Sequence, residues 1–211
     1  MSQTNSPNST GFVTQNFSLE FITPAFVGGA DPQQAALRSS TIKGVLRFWW
    51  RALHGRLSTE EMWEKEAQIF GSAQKGLKSR VWLRLINIQD INNSPNKSTN
   101  KIQLGRVANL RPQPDIFAYM AFGTQPMGGN PAKEYFQAGT TFDLALRFDP
   151  RLSAEQRDSV IEALQALSAL GGMGSKSRNG FGSVQVTHEE GRPVSGNWLP
   201  KEFIDKEFIN N

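Results

Sequence analysis

Lys43, Arg47 and Arg51 recur at every fourth position of STIKGVLRFWWRAL. At the helical step of about 100° per residue they share a face with Trp50. Three cations beside an aromatic offer phosphate neutralisation and a stacking surface for nucleic acid. The same pattern also describes a solvated helix face with one Trp half-buried against a neighbour. Trp49 falls with Ile42, Leu46 and Leu53 on the apolar stripe and is expected in the core. A second constellation is GGMGSKSRNGFGS, residues 171–183. Glycines such as Gly172, Gly174 and Gly180 let backbone N–H groups approach an anion, and Lys176 and Arg178 add charge. The string does not match the phosphate loop of nucleotide hydrolases, because it follows a helix rather than opening one. Its expected chemistry is therefore contact with a phosphodiester backbone.

Asp31 stands in the loop TPAFVGGADP. A carboxylate there could hold Mg²⁺ or assist phosphodiester cleavage, or it could form a side-chain turn before Pro32. The sequence has two histidines, His54 and His188. His54 ends the basic segment, where it reads as a helix C-terminal cap or cation. A histidine ribonuclease would need supporting groups that the sequence does not place. There is no HExxH, nucleophile elbow, dinucleotide fingerprint or dense carboxylate cluster. The expectation is binding without catalysis and without a metal or other cofactor.

The elements that must hold these residues read clearly in most of the chain. TQNFSLEFI (14–22), RVWLRLINI (80–88), TTFDLALRF (140–148) and FGSVQVT (181–187) alternate apolar and polar residues as half-buried strands. Ser39, Ser40 and Thr41 offer N-caps to a helix over IKGVLRFWWRALHG, which Gly55 stops. A capping box from Ser58 to Glu61 starts a second helix, and Ser153 caps a third with Glu155 and Gln156 in its first turn. The last carries an apolar stripe of Val160, Leu164, Leu167 and Leu170. Residues 89–138 hold two polar stretches, INNSPNKSTNK and GTQPMGGNPAK, and PDIFAYMAFG between them is expected as a strand. Strand–helix–strand, insertion, strand–helix–strand gives an α+β, ferredoxin-like (RNA-recognition-motif-like) split βαβ sheet. One domain over 14–187 is expected, with a disordered N-terminus over 1–13 and a tail over 188–211. Trp198, Phe203 and Phe208 give that tail weak apolar signals, so it either docks or extends.

The charge distribution agrees with a polyanionic partner. The body, residues 1–187, carries a balance of +6 and the tail −2, within a net +4. There are no cysteines, which excludes disulfides and thiolate metal sites and fits a reducing cytoplasm. No apolar run reaches the length of a membrane span, and the N-terminus is not signal-like.

ITPAFVGGADPQ, LRSSTIKGVLRFWWRAL, IFGSA and GGMGSKSRNGFGSV follow in that order over residues 17–187. Together they resemble the RAMP (repeat-associated mysterious protein) superfamily, and most of all the family of first Cmr subunits in type III-B CRISPR effectors. The glycine-rich loop points to the superfamily, while STIKGVLRFWWRAL with ITPAFVGGAD is more specific. The resemblance implies a ferredoxin-like fold. It implies guide RNA (crRNA), complementary target RNA and neighbouring Cmr subunits as partners, at the end of the assembly holding the 3′ portion of the guide. RNA contact would fall to Lys43, Arg47, Arg51, Lys176 and Arg178. Related backbone subunits use a loop Asp after the first strand to cleave target RNA, and Asp31 has a similar context. The first subunit is regarded as non-catalytic, so Asp31 is carried over as a candidate only. Family members usually hold a second RAMP-like domain, from which this sequence of 211 residues departs.

Overall fold

The structure, a computed structural model, describes residues 11–31, 34–89, 97–98, 120–124, 133–194 and 198–200. Seven strands are present among them: β1 Val13–Phe21, β2 Val81–Gln89, β3 Lys97–Ser98, β4 Tyr135–Phe136, β5 Thr141–Phe148, β6 Val184–Glu189 and β7 Arg192–Pro193. Three α-helices accompany them: α1 Ser39–Leu53, α2 Thr59–Phe70 and α3 Ala154–Leu170. The main sheet has the order β2-β5-β1-β6-β7, and β3 pairs with β4 in a separate ribbon. Every ladder is antiparallel. β1 and β2 therefore run parallel with β5 between them, and β5 and β6 run parallel with β1 between them. That is the split βαβ arrangement expected of a ferredoxin-like fold.

Alternation along the strands builds the core. Phe17, Leu19 and Phe21 of β1, Leu144, Leu146 and Phe148 of β5, and Val184 and Val186 of β6 point to one side. Ile42, Leu46 and Trp50 of α1 and Val160, Leu164 and Leu167 of α3 close over them. The expected capping box of Ser58 and Glu61 opens α2, and the Ser153 cap of α3 is likewise a capping box, with Gln156. Asp149 shapes the turn from β5 into α3, accepting the backbone N–H of Arg151 and both arms of its guanidinium. The Arg151 side-chain hydrogen bonds, then its backbone N–H, hold the Asp149 carboxyl down to about 2.

Several expectations differ from the structure. α1 is entered through Arg38, which makes no side-chain cap, rather than through Ser39, Ser40 or Thr41. Leu170 is 63% exposed, because the buried face of α3 runs through Val160, Ala163, Leu164, Ala166 and Leu167 and leaves its last leucine outward. Of PDIFAYMAFG, Met120 is helical and residues 121–123 form a turn, so its described end is not a strand. Residues 114–119 lie outside the described residues, as do 91–96, 99–101 and 125–132 of the two polar stretches. The disorder expected of the N-terminus falls outside the described residues over 1–10, while Val13 already belongs to β1. The tail is docked where it is described. β6 turns into β7, and the Trp198 ring lies 6.0 Å from that of Phe17 with its N–H donated to Glu189. Phe203 and Phe208 lie outside the described residues. No described helix is long and apolar enough to cross a membrane.

Candidate nucleic-acid interface

The glycine-rich loop closes the gap between α3 and β6 and leans on the segment that leaves β1. Met173 N–H donates to Gly182 O at 2.8 Å, and Gly182 N–H donates to Pro24 O at 2.8 Å. Ser175 N–H reaches Phe26 O at 2.9 Å, and Ser183 N–H reaches Thr23 Oγ1 at 3.0 Å. A Cβ on Gly182 would collide with the Met173 carbonyl, and one on Gly174 with the Phe26 carbonyl. Both glycines also have positive φ. They let backbone meet backbone, so their place in the loop does not depend on an anion. Gly172 likewise sits against the Phe181 and Gly182 carbonyls. Gly180 is different: nothing lies within 4 Å of its Cβ direction, so it opens to solvent.

Beneath the loop, Phe26, Phe181 and Tyr135 form a small apolar cluster with Ala121, the Phe26 ring being 5.4 Å from each of the other two. Asn179 Nδ2 donates to Met120 O at 2.9 Å. The described parts of the insertion thus brace the loop from below. The result is a fixed platform carrying Lys176 and Arg178. Lys176 adopts a left-handed conformation with φ 64°, which costs a non-glycine residue about 1 kcal/mol. Its carbonyl closes the turn by accepting Asn179 N–H at 2.8 Å, and its side chain leaves the loop half-exposed. Arg178 is exposed, and neither cation has a carboxylate partner among the described residues.

The basic helix face is built differently from the expectation. Arg47 Nε lies 2.6 Å and Arg51 Nη1 2.8 Å from the same Glu66 Oε1, a carboxylate of α2 with only 6% of its side chain exposed. The two guanidiniums keep 40% and 38% exposure. Lys43 Nζ donates to Ser79 Oγ and to the Val81 carbonyl. Burial, and then the neighbouring Arg47, pull the Lys43 ammonium below its ordinary range. All three cations therefore tie α1 to α2 and to the approach to β2 before any ligand arrives.

Trp50 requires a correction. It is 1% exposed, so its ring has no face for a base. Its N–H donates to Ser159 Oγ of α3 at 3.0 Å, and His54 stacks on it at 4.1 Å between ring centroids. His54 caps α1, its ring Nδ1 2.8 Å from Trp50 O. Trp49 is half-buried against Gly171 at the end of α3. The helical period located the flank on which Trp50 lies but not its cover. α2 folds back over that flank through Glu66 and Phe70, whose ring is 6.3 Å from that of Trp50. Glu66 was missed in the sequence, although it bore a readable signal. It stands four residues from both Met62 and Phe70, in the middle of the apolar face of α2.

Asp31 is exposed near the tip of a short hairpin closed by Ala36 N–H to Val27 O at 2.8 Å. Gln34 N–H meets its backbone oxygen at 3.3 Å, as a turn requires. Among the described residues no group of three His, Asp or Glu side chains is placed to hold a metal ion.

Comparison with known proteins agrees with this geometry. A family model of the RAMP superfamily matches residues 18–185. The Cmr subunit Cmr1-2 of Pyrococcus furiosus is 30% identical over 81% of this chain and 93% of its own length. Cmr1-1 of the same organism is 27% identical over 79% of this chain, which spans only 45% of that protein. The apo crystal structure of Cmr1 from Pyrococcus furiosus superposes with a TM-score of 0.60 at 24% identity, over 88% of this chain and 51% of that one. A chain of the type III-B Cmr-beta complex bound to cognate target RNA has the same fold, with a TM-score of 0.58 at 15% identity, over 91% of this chain and 57% of that one. The chain thus spans about half of the solved Cmr1 and nearly all of the shorter Cmr1-2. It belongs to the RAMP superfamily, in its Cmr1 family.

Proposed function

We propose that the chain is a non-catalytic, RNA-binding subunit of a cytoplasmic type III-B CRISPR effector. In this reading it contacts guide RNA and complementary target RNA beside other Cmr subunits. The observation that carries it is the rigid loop of residues 174–180, which presents Lys176 and Arg178 without a carboxylate to satisfy them. Phosphates would be neutralised there, while sequence is read by pairing between guide and target rather than by the protein. Membership in the Cmr1 family supports the choice of ligand. Arg47 and Arg51 contribute what positive field Glu66 leaves them, and Lys43 serves mainly to dock α1.

Binding and cleavage separate in one assay on the assembled effector with labelled target RNA. Replacing Lys176 with Gly and Arg178 with Ala is expected to weaken retention of RNA on filters with little dependence on sequence. The glycine relieves the left-handed backbone, and a thermal melt beside the parent separates loss of binding from loss of folding. Asp31→Ala is expected to leave both retention and the pattern of cleavage products unchanged. Disappearance of one discrete product at unchanged target affinity would make this subunit a nuclease acting through Asp31.

A further inference from the structure

The side of the sheet away from the helices carries a second aromatic and cationic cluster, far from any part of the loop in sequence. In the β2–β5–β1 register, Trp82 lies opposite Arg147, and Arg147 opposite Thr14. One row on, Arg84 lies opposite Ala145, and Ala145 opposite Asn16. Phe12, just before β1, meets Trp82 edge-on with ring centroids 5.5 Å apart. The Arg147 guanidinium sits 4.2 Å from the centre of the Phe12 ring. Trp82 is thereby braced on its edge while remaining 44% exposed. Arg84 and Arg147 are exposed, and neither pairs with a carboxylate among the described residues. The acid of the next row, Asp143, is already engaged by Ser18 Oγ at 2.8 Å and Asn87 Nδ2 at 3.1 Å. Ala145, between Arg84 and Asn16 in its row, presents only a methyl group and is 9% exposed.

We propose that this face is a second RNA site, at which an unpaired base stacks on Trp82 and the flanking phosphates meet Arg84 and Arg147. A braced aromatic offers a fixed π-face, and every base has one to set against it. Sheets of this topology present aromatics on this same open side to single-stranded RNA. Asp143, one row on, and Glu190, bonded to Asn16 of the Arg84 row, are held by neutral donors and not by the arginines, so both guanidiniums remain available to phosphates. The choice of ligand class rests on the RNA-binding reading above, but the residues do not overlap.

The test is binding of a short labelled oligoadenylate to the full chain, in two independent arms. Trp82→Ala is expected to weaken binding by roughly 5- to 100-fold, and Trp82→Phe to restore most of it. Replacing Arg84 and Arg147 with Gln should lower the log–log salt slope by about 1.4. The loop variants Lys176→Gly and Arg178→Ala form the second arm. If they alone lose binding, the sheet site is overturned and the loop reading stands. If the sheet variants alone lose it, the loop reading fails instead. Unchanged RNA binding by cooperatively folded sheet variants that no longer join other Cmr subunits would make this a protein-docking face and overturn the proposal. No binding of oligoadenylate by the parent would overturn it too.

Discussion

Trp50→Ala is expected to cost about 3–5 kcal/mol of stability and to leave the RNA affinity of the remaining folded protein unchanged. The indole fills space between α1, α2 and α3, and its N–H is bonded to Ser159. Truncation removes the transfer energy of the ring, opens a cavity that these helices cannot close, and leaves His54 without its stacking partner. Trp49→Ala should cost less, about 1–3 kcal/mol, because a half-buried ring loses less contact. Chemical melts of the two variants decide the order. A larger loss for Trp49, with RNA affinity lost for Trp50, would restore the phase read from the sequence and contradict the packing described here.

The second large effect concerns the pair of arginines on α1. Removing Arg47 and Arg51 together leaves Glu66 buried and charged with no partner, which should cost about 3–5 kcal/mol. The partial exposure of both guanidiniums places the expected value at the lower end of that range. Either single alanine should cost less than half as much, since the other guanidinium still reaches Oε1, so the two effects will not add. Replacing Glu66 with Met in the double variant should recover most of the loss, because an apolar side chain of similar size needs no counter-charge. The readout is the denaturation midpoint of the four variants. If the double variant melted like the parent while losing RNA, the arginines would be ligand groups first and structural groups second.

These two cases show where the sequence could be read and where it could not. β1, β2, β5 and β6 were legible because period-2 alternation depends only on one face being buried. The starts of α2 and α3 were legible because a capping box is a local exchange between Ser58 and Glu61, or Ser153 and Gln156. Local rules stop at contacts made by elements distant in sequence. Whether Trp50 meets solvent depends on α2 and on Ser159, more than a hundred residues away. Whether Arg47 and Arg51 are ligands or ties depends on one carboxylate across a turn. The glycine loop was found for a reason only partly right. Gly174 and Gly182 are demanded by backbone packed against Phe26 and Met173, while Gly180, Lys176 and Arg178 remain open to a ligand. Alternation along β2 turns Trp82 and Arg84 away from the core, but their meeting with Arg147 is not legible, since cross-strand register is not written in either strand alone.

The most direct measurement loads the assembled effector with guide RNA carrying photoreactive uridines, irradiates it, and maps the crosslinked peptides of this chain by mass spectrometry. Crosslinks within residues 174–180 are expected, and none at the buried Trp50. An effector that binds its guide normally yet yields no crosslink in that loop would contradict the account.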